Sequence, residues 1–240
     1  MFNKWLKYSY ADQKTQNMRT RSTLLSALIF LAVYILITNY LFSFKVLENS
    51  SMEPGLKKGE RYVVFSFNLQ KSLPNAIPLS HLPLNRGNIV LIKNYEIEKQ
   101  NVFSAVAERV IRFFTIGQAG LSGGNRRLFL KRVIALPGDT VSMTNYVMRV
   151  QPAGDYAYTE FELARVDYNV NIPEVPALWD YSLPFSGNME KFVLEKDQCF
   201  VMSDDRSNTN DSRTWGAIDT DLILGKVIFR YWPLNKIGTL

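Results

Sequence analysis

One cysteine and one histidine are all that this chain of 240 residues carries of the common thiolate and imidazole groups. The lone Cys199 excludes an intrachain disulfide and any multi-cysteine metal site, and among strand formers it reads as a small buried residue. The lone His81 sits in Leu79-Ser-His-Leu-Pro83; a Ser-His-Asp triad would have to use it, and nothing around it suggests a held imidazole. Large charge excess is also missing. Lys and Arg number 28 against 22 Asp and Glu, a net charge of +6. Part of that excess lies at the N-terminus, where Lys4, Lys7, Lys14, Arg19 and Arg21 face only Asp12. A basic tail of this kind argues for a membrane surface and against a nucleic-acid partner. Internal repeats and low-complexity tracts are absent. One acid-rich loop, Ser203–Arg213, is interleaved with arginines, which argues against a calcium site; no metal and no cofactor is expected.

The longest stretch without charge runs from Ser22 to Phe44 and is dominated by Leu, Ile, Ala, Val, Phe and Tyr. As a helix it would reach roughly 34 Å, enough to cross a hydrocarbon core of about 30 Å. It exceeds the usual apolar run of a cleaved signal peptide, and no small-x-small cleavage pattern follows it. The expected organisation is a cytoplasmic basic tail (1–21), a single-pass transmembrane helix (22–44) and an extracytoplasmic domain (45–240). Beyond the anchor the texture is mostly β. Short runs of strand formers cover Arg61–Phe67, Asn88–Lys93, Arg127–Ile134, Phe192–Met202 and Gly225–Pro233, and Thr140–Val150 reads as two strands around a Thr-Asn turn. Insertions are expected near 69–86 and 151–187, both proline-rich, and over 97–125, where Asn101–Ile116 has the periodicity of an amphipathic helix suited to packing on the sheet or to a membrane surface.

Two residues stand out chemically. Ser51 lies in Ser51-Met-Glu-Pro54, where Pro54 stiffens the backbone and Gly55 frees the turn. Lys131 lies between Leu130 and Val133 in Phe129–Asp139, an apolar setting in which a buried amine loses its charge. A neutral lysine can take the proton of a serine hydroxyl, so the pair can act as nucleophile and base. Strand alternation requires Lys131 and Arg132 to point opposite ways. Left to themselves, Ser51 also suits a turn and Lys131 an outward-facing strand position. The loop Ser203–Arg213 reads as a rigid, internally paired loop.

Taken together and in order, Ser51–Pro54, Arg86–Val90, Lys131–Asp139, Ser203–Gly216 and Gly225–Pro233 resemble the type I signal peptidases, membrane-anchored Ser/Lys proteases that remove signal peptides from exported proteins. The resemblance implies a mostly antiparallel β catalytic domain, with Ser51 as nucleophile and Lys131 as general base. It implies that the Ser51 N–H forms half of an oxyanion hole. The second donor in many relatives is a serine hydroxyl two residues earlier, and here that residue is Asn49, whose amide can also donate. By the same resemblance Thr209 orients the lysine, Asp204 partners Arg132, and Asp211 with Arg213 forms a supporting pair. Ser203 departs from the glycine usual at its position and places a side chain near Lys131. Pro54, Phe129 and Leu130 are candidate walls for the pockets that take small substrate side chains. Lysine rather than histidine at 131 points to the bacterial or organellar type. The implied partners are the signal peptides of exported preproteins and the lipid bilayer of the inner membrane, with the protein itself a monomer. Two alternatives stand beside this reading: a peptidase of the same fold dedicated to one substrate, and a non-catalytic, membrane-anchored peptide-binding relative.

Overall fold

A computed structural model describes residues 10–36, 41–67, 84–93, 128–174 and 187–240. The chain divides into two units, 1–41 and 42–240. In the first, α1 (Tyr10–Leu36) is a 27-residue helix, begun in polar sequence and continued through a Leu-, Ile- and Ala-rich stretch of strong helix formers. Leu24, Leu28, Ile29 and Phe30 on it are exposed. Among the described residues no helix is long and apolar enough to cross a membrane. The expected span is corrected at its C-terminal end: Phe42–Phe44 belong to strand β1 (Phe42–Val46). Its phenylalanines make ring contacts with the second unit's own strands, Phe42 with Phe65 and Phe44 with Tyr231, and β1 pairs antiparallel with its neighbour. Cross-strand aromatic packing and ladder hydrogen bonds therefore decide the conformation of these residues.

The second unit is built on antiparallel strands. Eight of those described form one sheet: β1, β2 (Arg61–Ser66), β11 (Ile223–Trp232), β3 (Ile89–Lys93), β4 (Leu128–Ala135), β9 (Gln198–Met202) and β10 (Ile218–Asp219) in spatial order, with β12 (Gly238–Thr239) pairing β11. A four-stranded sheet has the order β7 (Tyr158–Thr159), β6 (Val147–Gln151), β5 (Thr140–Thr144) and β8 (Met189–Val193). Two short helices, α2 (Glu160–Leu163) and α3 (Ser212–Trp215), follow β7 and the loop after β9. The single strand expected over Phe192–Met202 is two, β8 and β9, because a turn at 196–197 intervenes. The β5–β6 hairpin turns at Asn145 and Tyr146, both with positive φ. Part of the expected 151–187 insertion is ordered structure: it holds β7, α2 and an isolated bridge from Asn171 to Asp205. His81 and the Asn101–Ile116 helix lie outside the described residues.

Burial explains why the sheet is so firmly in register. Tyr62, Val64 and Ser66 alternate inward along β2, as period-two geometry requires. In β4 every residue from Leu130 to Ala135 is buried, because apolar clusters lie on both faces of the strand. Leu130 joins one cluster, Ile134 a second and Val133 a third. Lys131 and Arg132 are thus both taken out of water. Gly225 is needed where β11 crosses β2, since a Cβ there would stand 2.3 Å from the Phe65 carbonyl oxygen.

Candidate active site

Ser51 is 2 % exposed, in the turn that follows β1. Its hydroxyl donates to Asn49 Oδ1 at 2.9 Å, and its backbone N–H donates to the same oxygen at 3.3 Å. The N–H settles which end of the amide faces Ser51, because an NH2 there would set donor against donor. On the far side of the turn the Ser51 carbonyl accepts the Asp205 N–H at 3.1 Å. A Cβ at Gly55 would lie 3.1 Å from Asp204 Oδ2, so the turn rests directly on the loop after β9.

Lys131 is also 2 % exposed. It lies opposite Val90 on β3, and its Nζ donates to Ser203 Oγ at 2.7 Å. The Trp215 ring centroid is 5.8 Å from Nζ, and the same ring packs against Phe129 at 5.1 Å. Burial lowers the Lys131 amine to about 8; Asp211 and Asp204 pull it back up, while Arg213 adds to the depression. Among the described residues, Ser51 and Lys131 are not hydrogen-bonded to each other. They are joined through the loop, Ser51 to Asp205 and Lys131 to Ser203.

That loop owes its shape to charged pairs. Arg132, pointing away from Lys131, donates to both oxygens of Asp204 at 2.7 and 2.6 Å and to the Gly87 carbonyl at 2.6 Å. Arg213 donates to both oxygens of Asp211 at 2.9 and 2.8 Å and to the Arg206 carbonyl at 2.7 Å. Asp211 in turn accepts the Ser203 N–H at 2.9 Å. Burial pushes the Asp211 carboxyl up, but its bonds from Arg213 and from Ser203 outweigh this and hold it below the usual range. Thr209, expected to orient the lysine, makes no hydrogen bond to it; its carbonyl accepts from Asp211 N–H and Thr214 instead. Ser203 occupies the place beside the amine because it ends β9 next to β4, where Arg132 pairs with Met202.

A groove of about 260 Å³ opens beside Asn49, lined by residues 45–49, Tyr62, Leu91 and residues 128–130. Three strands separate β1 from β4 in the sheet, yet both line this groove, so the sheet coils until its edge faces β4. β9 pairs with β4 only from Arg132 onward, and β1 pairs with β2 alone. Among the described residues, β1 therefore stands at the end of the sheet order, and β9 leaves Leu128–Lys131 of β4 uncovered. Phe129 and Leu130 line the groove; Pro54 is exposed and does not.

Several members of the site escape a reading of the chain alone. Arg86 joins Asp139 through two hydrogen bonds at 2.9 and 2.7 Å, 53 residues apart. Glu160 and Tyr168 reach the site from a segment whose local sequence carries no catalytic pattern, and Trp215, though inside Ser203–Gly216, was not singled out. One signal was available: Thr159 with Glu162 three residues on marks a helix start inside the supposed insertion, and Glu162 does accept the Thr159 N–H at 2.6 Å.

A family model described as "Signal peptidase, peptidase S26" matches residues 20–232. Among curated proteins, the chain is 26% identical over 213 residues to the "Probable signal peptidase I-1" of Synechocystis sp., covering 89% of this chain and 83% of that one. It is 27% identical over 216 residues to "Signal peptidase IB" of Staphylococcus aureus, covering 89% and 90% respectively.

Proposed function

The chain belongs to the signal peptidase, peptidase S26, family, and on that premise we propose that it cleaves signal peptides from exported preproteins with Ser51 as nucleophile and Lys131 as general base. The observation that carries this reading is the burial of Lys131, which lowers its amine to about 8 and holds it against Ser203, on the loop whose Asp205 N–H holds the Ser51 carbonyl. The neutral amine takes the Ser51 proton as Oγ bonds to the scissile carbonyl carbon. Collapse of the tetrahedral intermediate breaks the C–N bond, and the proton passes from Lys131 to the leaving amine. Water then gives a proton to Lys131 as its hydroxide bonds to the acyl carbon; the ester bond to Ser51 Oγ breaks, the proton returns from Lys131 to Oγ, and the signal peptide leaves.

An extended substrate segment fits the groove between β1 and β4, where strand edges offer main-chain partners and Leu47, Leu91, Phe129 and Leu130 offer apolar walls. Incubating the detergent-solubilised protein with several preproteins and locating the cuts by mass spectrometry tests this. Cleavage after small residues at the signal-peptide boundary is expected. Recovery of intact preproteins bound to the protein would instead favour a peptide-binding role, and cleavage of one preprotein alone would mark a dedicated peptidase.

Asn49 is the proposed second oxyanion donor. In the resting arrangement its carbonyl oxygen caps both Ser51 donors, so the side-chain amide has to turn over when a scissile carbonyl arrives. Asn49→Ala is expected to lower kcat roughly 10²–10³-fold with little change in KM, and Asn49→Ser to recover part of the loss. An unchanged kcat in the alanine variant would assign the second donor elsewhere.

We place the catalytic unit outside the cytoplasm, tethered to the inner membrane. Support comes from the basic tail, the uncharged residues 22–41, which as a helix would span about 30 Å, and the apolar side chains exposed on α1. Protease added to intact spheroplasts is expected to digest residues 42–240 and spare the tail; protection of the large unit would refute this orientation.

A further inference from the structure

Every polar group of Ser203 is engaged. Its hydroxyl accepts from Lys131, its N–H donates to Asp211, and its carbonyl accepts from Arg206 Nε at 3.2 Å. Arg206 is fully buried, and its guanidinium is held by Glu160 Oε1 at 2.7 Å, by Glu160 Oε2 and by the Tyr146 carbonyl. Glu160 is 2 % exposed and accepts two more bonds, from the Met148 N–H at 3.0 Å and the Tyr168 hydroxyl at 2.7 Å. The Tyr168 ring centroid lies 4.0 Å from the Arg132 guanidinium carbon. Asn171 closes the arrangement through its backbone: its N–H donates to the Asp204 carbonyl at 2.9 Å, and its carbonyl accepts the Arg206 N–H at 2.8 Å.

Lys131 and Arg132 are adjacent on β4, so one ring of contacts runs from Lys131 through Ser203, Arg206, Glu160 and Tyr168 to Arg132. Its two far members come from the segment after β7, which has no part in bond making. Building on the Ser51/Lys131 reading, we infer that Glu160 and Tyr168 are positioning residues, which hold Ser203 against Lys131 Nζ through Arg206 and Arg132. A loop that carried only backbone bonds would leave the Ser203 hydroxyl free to turn from the amine. The buried charges of Arg206, Glu160 and Arg132 fixed in this ring remove that freedom, because any displacement strips a desolvated charge of its partner.

The test uses the full-length, detergent-solubilised protein and a preprotein substrate. Glu160→Gln leaves Arg206 buried without a counter-charge and is prone to unfold, so Tyr168→Phe is the primary variant. It keeps the ring on Arg132 and removes only the hydroxyl bond to Glu160. Tyr168→Phe is expected to lower kcat roughly tenfold with KM within about twofold, less than the ~10²-fold loss that a 1 Å misplacement brings. The acid limb of its kcat/KM profile is expected to move to lower pH, since a loosened Ser203 supports the Lys131 ammonium less well. In a Ser203→Ala background the same change is expected to cost nothing further, because both act through one contact. A wild-type kcat and acid limb in Tyr168→Phe, or losses that multiply in the double variant, would overturn the inference. Lys131→Ala, assayed in parallel, separates the two levels: a dead Lys131→Ala with a silent Tyr168→Phe removes the positioning role alone, whereas an active Lys131→Ala removes the dyad and this role with it.

Discussion

Ser51→Ala and Lys131→Ala are each expected to abolish preprotein cleavage, by several orders of magnitude in kcat, while leaving the fold intact. Both side chains are small or apolar-stemmed groups in sites that alanine can occupy, and neither belongs to a buried ion pair. The Lys131 variant loses the one side-chain hydrogen bond that Lys131 makes among the described residues, to Ser203, and leaves that hydroxyl in place. The wild-type enzyme supplies the matching signature in pH. With the amine lowered to about 8 by burial, the fraction of neutral base rises as pH increases through that value. The kcat/KM of the free enzyme is therefore expected to climb about tenfold per pH unit below 8 and to level off above it. Substantial cleavage by either purified alanine variant, or a flat profile between pH 6 and 8, would sink the assignment. Retention of a wild-type circular dichroism spectrum distinguishes lost chemistry from lost structure.

Asp204→Ala is expected to destabilise the domain by about 3–5 kcal/mol, a large share of the ~5–15 kcal/mol that holds a typical domain folded. Asp204 is fully buried and, among the described residues, is the sole carboxylate bonded to Arg132, which is itself buried and otherwise donates to the Gly87 carbonyl. Removing the acid strands a guanidinium in a desolvated site beside the Tyr168 ring. The loss should appear as a lower urea midpoint with an unchanged slope. Replacing both partners by apolar residues, as in Arg132→Met with Asp204→Leu, should recover part of the stability but not the activity. The Ser51 turn rests on this pair through Gly55, and a repacked pair would shift the nucleophile. An Asp204→Ala midpoint equal to wild type would show that water or another group reaches Arg132.

Short-range signals were enough to read β2, β3, β4, β11 and the β5–β6 hairpin from the chain. β2 announces itself as a run of strand formers, the β5–β6 hairpin as two such runs around a turn, and β11 by a run of strand formers behind Gly225. Lys131 was legible because a lysine is unexpected among apolar residues, and Ser51 because its Ser-Met-Glu-Pro stretch stands in order with the other motifs, since Ser-x-x-Pro alone is common. That Lys131 and Arg132 face opposite ways follows from the pleat alone. Other features depend on which segments meet. The extent of the apolar stretch was read 22–44, yet Phe42–Phe44 join the sheet, because aromatic neighbours on β2 and β11 exist only once the chain has folded.

The site divides along the same line. Residue types, their order and the alternation of β4 pointed to the candidate side chains. Tertiary structure decided that Ser203 and not Thr209 meets the amine, that the Asn49 carbonyl faces Ser51, and that Glu160 and Tyr168 stand behind the loop. Residue 203 is 72 positions from Lys131, and Glu160 is 46 from Arg206. Contacts across such distances leave no periodicity in the chain. They arise because a buried donor or charge must find a partner, and only the packed sheets determine which partner lies within reach.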